Sequence, residues 1–81
     1  MTRYRLQLEI EPLEEGGYLA ICPILQGCHA EGETIAEAIE NVEDVAHNLI
    51  ELMCEDGVAL PRKLQAAKPG MKLHNEILVR A

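Results

Sequence analysis

Apolar and polar residues alternate strictly from Arg3 to Glu11, the pattern of a strand with one buried face. The apolar positions of this segment are Tyr4, Leu6, Leu8 and Ile10. Pro12 cannot donate to a sheet and Gly16-Gly17 accepts turn geometry, so residues 12 to 17 predict a turn. A second strand from Tyr18 to Cys22 would complete a hairpin.

A third, short strand is predicted after this hairpin. Pro23 ends the second strand or marks its edge, and the segment from Leu25 to Gly32 is bracketed by glycines. Gly27 inside the segment predicts a bulge or a close approach of another backbone.

The strongest element of the sequence is a helix that begins at Thr34. Thr34 and Glu37 form a capping box, in which the hydroxyl accepts from the Glu37 amide and the carboxylate accepts from the Thr34 amide. Gly57 and Pro61 indicate where the helix ends. Its apolar face, repeating at steps of three and four, consists of Ile35, Ala38, Ile39, Val42, Val45, Ala46, Leu49, Ile50 and Met53.

The remaining residues predict a loop and a last strand. Arg62 to Met71 contains Pro69-Gly70 and several lysines, and Leu73 to Arg80 contains an Ile-Leu-Val run. The order is therefore βββαβ, a small α+β fold in which an antiparallel hairpin sheet carries one long helix on one face. A chain of 81 residues has apolar area for one core only, so we expect a single domain over residues 1–81.

Composition narrows the function classes. The chain has no Phe or Trp and a formal net charge of -7, which repels nucleic-acid phosphates and attracts basic surfaces. The longest apolar run, Tyr18 to Leu25, is interrupted by Pro23 and is too short to span a bilayer. No signal-peptide core follows the amino terminus, and three cysteines cannot all pair within one chain. We therefore expect a cytoplasmic protein with free thiols, without a membrane span and without direct DNA binding.

A zinc site can be drawn from Cys22, Cys28, His29 and Cys54, since thiolate and imidazole are the usual zinc ligands. No Cys-x-x-Cys pair is present, and adjacent residues of a strand, such as Cys28 and His29, point to opposite faces. Cys54 would lie at the far end of the helix. Free cysteines commonly behave as small apolar residues, and we interpret these three in that way. No metal site is therefore predicted.

Catalytic constellations are equally hard to assemble. The adjacent Cys28 and His29 diverge, the chain has no serine, and Thr34 serves as a cap. Glu9 and Glu11 share a strand face and can bind Mg²⁺ or perform acid/base chemistry, but such a pair is more typical of solvated surface. Gly16-Gly17 lacks the spacing of a phosphate-binding loop. We predict no enzyme, no catalytic residue and no cofactor.

The acidic face of the helix leaves two interpretations open. It is either solvated surface or a docking face for a cationic protein, because fields of this sign speed encounter and confer specificity. Its polar residues are Glu40, Glu43, Asp44, His47, Asn48, Glu51 and Glu55.

Two runs of the sequence, Gly17 to Cys28 and Glu31 to Asn41, resemble the HicB-like antitoxin family. The family pattern is Gly-Gly-Tyr, an apolar strand, Pro-x-Leu-x-Gly-Cys, then x-Gly-x-Thr-x-x-Glu-Ala, a helix and a Gly-x-x-x-Pro stop. Gly57 to Pro61 matches that stop, so the resemblance covers about residues 4 to 61. It implies a partial ribonuclease H-like fold without that enzyme's catalytic acids.

The resemblance also implies a role. HicB antitoxins neutralise a small, basic, RNA-cleaving HicA toxin by direct binding, and many carry a DNA-binding segment that the residues after Pro61 do not resemble. The alternatives are a structural or small-ligand module without a toxin, and a degenerate metal-dependent nuclease using Glu9 and Glu11. A short aliphatic core also predicts a homodimer or tetramer, with Ile77 and Val79 of the last strand at the contact.

Overall fold

Two three-stranded antiparallel sheets and one helix form the computed structural model, which describes residues 3–61, 65–66, 70 and 76–80. In chain order the elements are β1 (Arg3–Gln7), β2 (Glu9–Pro12), β3 (Tyr18–Ile21), β4 (His29–Gly32), α1 (Ile35–Glu55), β5 (Gln65–Ala66) and β6 (Glu76–Arg80). The order of hairpin strands, long helix and carboxy-terminal strand confirms the predicted βββαβ class.

The predicted first strand is divided at Leu8 into β1 and β2, which pair in different sheets. β1 lies between β5 and β6, with Leu6 opposite Ile77, and β2 lies beside β3, with Glu9 opposite Ile21. Leu8 itself is buried. The alternating pattern identified the extended backbone correctly, but it carries no information about which neighbour each half pairs with.

The turn between β2 and β3 lies where Pro12 and the glycine pair predict it. The Leu13 amide donates to the Gly17 carbonyl at 3.0 Å, and the Gly16 amide donates to the Leu13 carbonyl at 3.1 Å. Gly16 has a φ of 100°, a backbone conformation that residues with a Cβ rarely adopt. The hairpin prediction is therefore confirmed.

The predicted third strand is wrong in its first half. β4 begins at His29, because the backbone from Cys22 to Cys28 closes a turn instead. The Cys22 amide donates to the Cys28 carbonyl at 2.8 Å, and the Leu25 amide donates to the Cys22 carbonyl at 3.2 Å. Gly27 belongs to this turn, and no atom lies within 4 Å of where its Cβ would be, so it marks no close backbone approach.

Both ends of α1 carry the capping residues that the sequence predicts. Thr34 is the N-cap, and its Oγ1 accepts from the Glu37 amide at 3.0 Å. The Glu37 carboxylate, however, accepts from the Glu33 amide at 3.3 Å, one residue before the predicted Thr34 amide. At the other end the Val58 amide donates to the Met53 carbonyl at 2.8 Å and Gly57 takes the left-handed conformation, which together form a Schellman motif.

The helix packs on β4, β3 and β6. Its fully buried stripe consists of Ala38, Val42, Ala46 and Ile50. Leu49 is only partly buried, and Ile35 is 47% exposed, so the predicted apolar face is wrong at Ile35. Close packing depends on Gly32 of β4, since a Cβ there would lie 2.3 Å from the Ala38 backbone nitrogen.

The carboxy-terminal part departs from the predicted loop. Gln65 and Ala66 form β5, which pairs with Arg5 and Tyr4 of β1, whereas the other residues predicted to form this loop, apart from Gly70, lie outside the described residues. The predicted last strand is confirmed from Glu76 to Arg80, and residues 73–75 lie outside the described part. No helix among the described residues is long and apolar enough to cross a membrane.

Candidate partner-binding surface

Charge is divided unevenly along the chain. No lysine or arginine occurs between Leu6 and Pro61, although this segment holds thirteen of the fourteen acidic residues. The segment comprises β2, β3, β4 and α1. The negative charge is therefore concentrated on the sheet of β2, β3 and β4 and on the helix that covers it, a distribution that net charge alone does not reveal.

Four carboxylates surround one cleft of about 550 Å³ at the end of this sheet. Glu15 comes from the β2–β3 turn, Glu31 from β4, Glu33 from the following bend and Glu37 from the first turn of α1. All four side chains belong to exposed residues. We call these four glutamates the acidic cleft. A cationic side chain placed there would face several carboxylates at once.

The backbone beneath the acidic cleft is held in place. The Asn41 side-chain Nδ2 donates to the Glu31 carbonyl at 2.8 Å, which ties the helix to β4. The capping contacts of Thr34 and Glu37 fix the start of the helix on the same side. The backbone of this surface is therefore preorganised, so little free energy would be lost in ordering it when a partner binds.

Carboxylates also crowd the outer face of α1. Burial raises the pKa of Glu43, and the charges of Asp44 and Glu40 raise it further. One helical turn apart, His47 Nε2 lies 2.7 Å from Glu51 Oε2. The charges of Asp44 and Glu40 are the smaller part of this shift, and a cationic partner would reduce their repulsion with Glu43.

A second groove, of about 460 Å³, is lined mainly by aliphatic side chains. Ile10 of β2 and Ile35 of α1 are its exposed members, and Glu76 lies at its edge. The other lining residues are Leu8, Ile39 and Ile77. This groove is an opening between β2, the start of α1 and β6.

The residues predicted to contact a second copy lie in the core of the single chain. Ile77 is 7% exposed and Val79 is 3% exposed, whereas Leu78 between them is 39% exposed. Among the described strands, β6 forms one edge of the β5-β1-β6 sheet. If β6 contributes to self-association, Leu78 is the side chain that it presents outward.

The structure does not bring the four residues weighed as zinc ligands together as a set, nor Cys28 and His29 together as a catalytic pair. Glu9 and Glu11 are both exposed on β2, Cys28 is buried while the adjacent His29 is exposed, and Cys54 is exposed near the end of α1. Across the described ranges, no three His, Cys, Asp or Glu side chains are placed to hold a metal ion together.

Cys22 and Cys28, in contrast, are brought together, which the sequence interpretation missed. Both are free, buried members of the core, and their thiols are hydrogen-bonded to each other. No local pattern marked them, because their proximity depends on a turn centred on Leu25 that the strand register reveals.

Comparison with known proteins identifies the chain. The model of the HicB-like antitoxins of bacterial toxin–antitoxin systems matches residues 6–76. The UPF0150 protein ssr1765 of Synechocystis sp. is 35% identical over 66 residues, which are 82% of this chain and 84% of that protein. The UPF0150 protein ssr1258 of the same organism is 36% identical over 56 residues, 69% of this chain and 75% of that protein.

The fold and these matches define a small α+β protein of the bacterial toxin–antitoxin type. The chain belongs to the HicB-like antitoxin family, as the resemblance implied. Membership in this family implies a toxin as the partner and favours a binding role over catalysis.

Proposed function

We propose that this protein is a non-enzymatic antitoxin that binds and neutralises a small, basic, RNA-cleaving toxin of the HicA type. The observation that carries the proposal is the charge distribution: the segment from Leu6 to Pro61 contains thirteen acidic residues and no lysine or arginine. A toxin that binds RNA needs a cationic surface, and such a surface is complementary to this face.

The acidic cleft is the proposed centre of the contact. Glu15, Glu31 and Glu33 are exposed and their backbones are fixed by the hairpin turn and by β4. Arginine forms paired hydrogen bonds with carboxylates, so an arginine-rich toxin surface would find several acceptors at fixed positions there. Binding would cover the toxin's cations and deny them to RNA phosphates.

Neutralisation in cells tests the proposal. A HicA-type toxin is expressed from an inducible promoter in a bacterial host, with or without this chain. We expect growth arrest with the toxin alone and recovery when the antitoxin is co-expressed. Persistent arrest in the presence of soluble, folded antitoxin would contradict the proposal.

A matched pair of charge variants locates the contact. The triple substitution Glu15→Lys, Glu31→Lys and Glu33→Lys should abolish growth recovery. The control Glu40→Lys, Asp44→Lys and Glu55→Lys changes charge equally on the outer helix face and should retain most of the recovery. Equal loss in both variants would indicate that net charge alone, not the acidic cleft, determines binding.

We further propose that the protein is a cytoplasmic homodimer or dimer of dimers, with β6 at the contact. β6 is an edge strand among the described elements, and it exposes Leu78. Leu78→Lys should shift the protein toward monomer in multi-angle light scattering. The control is Ile10→Lys, which introduces the same side chain on β2. A monomeric wild type at about 50 μM, fifty times a micromolar Kd, would refute dimerisation.

Direct binding to duplex DNA is not part of the proposed function. Nonspecific DNA affinity depends on lysines and arginines that release counterions, and the chain has 7 of them against 14 acidic residues. We expect no mobility shift at physiological salt, and sub-micromolar binding would reinstate a repressor role.

The partial ribonuclease H-like fold that the family resemblance implies stays a prediction.

A further inference from the structure

Cys22 and Cys28 face each other across the turn that joins β3 to β4. The register of these strands pairs Ile21 with His29 and Ala20 with Ala30, and the next pair in the same register is Cys22 with Cys28. The Cys22 amide donates to the Cys28 carbonyl at 2.8 Å, whereas the Cys28 amide donates to the Leu25 carbonyl at 3.2 Å inside the turn, so one backbone hydrogen bond joins the pair.

This position suits a disulfide. Directly opposed residues of antiparallel strands have Cα atoms about 4.5 to 5.5 Å apart, which is inside the range of about 4.4 to 6.8 Å for bridged cysteines. The two thiols already hydrogen-bond to each other, so the sulfur atoms are on the same side of the backbone. Bond formation therefore requires no shift of β3 against β4.

The turn also activates one of the two thiols. The Cys28 thiol donates to Cys22 and, together with the backbone amides of Ile24 and Leu25, lowers the pKa of Cys22 against the opposing effect of burial. The same hydrogen bond, reinforced by burial, raises the pKa of Cys28. Cys22 is thus the member of the pair that ionises first, and the thiolate is the nucleophile in thiol oxidation.

The pair is buried, but the turn between the two cysteines is largely exposed to solvent. Cys22 is 0% exposed and Cys28 is 2% exposed, while Pro23, Gln26 and Gly27 of the intervening turn are exposed. Local opening of this five-residue turn would admit a molecule as small as hydrogen peroxide without unfolding either strand.

We propose that Cys22 and Cys28 form a reversible intramolecular disulfide when a peroxide oxidises the protein. The Cys22 thiolate attacks one peroxide oxygen, the O–O bond breaks, and a sulfenic acid forms with release of hydroxide, which takes up a proton as water. The Cys28 sulfur then displaces the sulfenic hydroxyl as a second water, while the Cys28 proton balances the step. Two thiols and one peroxide become one disulfide and two waters.

The experiment uses the full chain with Cys54→Ser, so that the buried pair holds its only cysteines. The folded protein is treated with hydrogen peroxide, quenched, unfolded in guanidinium with N-ethylmaleimide and weighed by mass spectrometry. Untreated protein should take up two labels. Treated protein should take up none and weigh two hydrogens less than the unlabelled reduced chain, and dithiothreitol should restore both labels.

The variant Cys22→Ala in the same Cys54→Ser background distinguishes a disulfide from general oxidation. Its remaining Cys28 should keep its label or add oxygen atoms, with no loss of two hydrogens. In the wild type, peroxide that oxidises Cys54 while Cys22 and Cys28 both remain labelled would overturn the proposal. A bridge that forms only in guanidinium, and not in the folded protein, would overturn it as well.

Discussion

The two sheets of this protein are built in different ways. β2, β3 and β4 follow one another along the chain and are closed by two short turns, whereas β1 pairs with β6 and with β5 from the other end of the sequence. The segment from Leu6 to Pro61, which includes β2, β3, β4, α1 and the turns between them, carries thirteen of the fourteen acidic residues, and every lysine and arginine lies outside it. The surface proposed to meet the partner is thus folded locally, and the second sheet completes the core beneath it.

Despite this difference, both sheets contribute to one hydrophobic cluster. Leu6 of β1 and Val79 of β6 belong to the same core as Ala20 of β3 and Ile50 of α1. A shared core predicts one cooperative unfolding transition, although the two sheets are assembled from different parts of the chain.

The largest expected effect comes from removing core side chains in each region. Leu6→Ala in β1 and Ile50→Ala in α1 each delete a fully buried side chain and should each lower the free energy of unfolding by about 2 to 5 kcal/mol. Urea denaturation followed by circular dichroism measures both, with the partly buried Leu49→Ala as a milder control. Two separate transitions for Leu6→Ala would show that the sheets unfold independently.

Close packing of helix on sheet gives the next largest effect. Gly32→Ala places a Cβ within 2.8 Å of the backbone of Glu37 and Ala38, so the helix must shift, at a cost of about 3 kcal/mol. Gly16→Ala meets no atom within 4 Å and should cost only the left-handed strain of about 1 to 2 kcal/mol. The reverse ranking of the two melting temperatures would reject the packing argument.

A smaller effect is expected at the helix start. Thr34→Ala removes the acceptor of the Glu37 amide and should lower stability by about 1 kcal/mol. Thr34→Ser retains a hydroxyl acceptor and should restore most of that loss. Equal denaturation midpoints for Thr34→Ala and the wild type would show that the hydrogen bond contributes nothing to folding.

The smallest effect is a pH dependence on the acidic face. Burial raises the pKa of Glu43 in the folded protein, and the charges of Asp44 and Glu40 raise it further. Ionisation of this carboxyl therefore destabilises the folded state. That cost is absent below the unfolded pKa and complete above the folded pKa. Glu43→Gln should therefore stabilise the protein at pH 7, with an advantage that fades as the pH falls to about 4. A constant advantage at all pH values would contradict this origin.

The locally folded region is also the region that the sequence predicts best. The Gly16-Gly17 turn, the Thr34 cap and the Gly57 stop each depend on neighbouring residues, so their signals lie within a few positions. The break at Leu8 and the pairing of Gln65 with Arg5 depend on distant partners, and no local pattern encodes them. Ile35 was misassigned because helical spacing fixes a face but not the extent of the sheet beneath it.

The candidate sites show the same contrast between features encoded by neighbouring residues and features that depend on distant ones. Periodicity identified the acidic helix face, but the acidic cleft combines a turn, a strand and a helix start that only the fold places together. Ile77 and Val79 were predicted at a contact between copies because an apolar strand at the end of a chain resembles an exposed edge, and their burial within one chain depends on the helix and on β1. The Cys22–Cys28 pair depended on knowing that the turn centres on Leu25.

The central claim is that the acidic cleft binds the toxin, and titration calorimetry with the purified toxin tests it most directly. The account predicts that the Lys triple variant at Glu15, Glu31 and Glu33 binds at least about tenfold more weakly than the wild type, a loss of about 1.4 kcal/mol or more. It also predicts that the Lys triple variant at Glu40, Asp44 and Glu55 loses less. Unchanged affinity for the cleft variant, in a protein with an unaltered circular dichroism spectrum, would contradict the account.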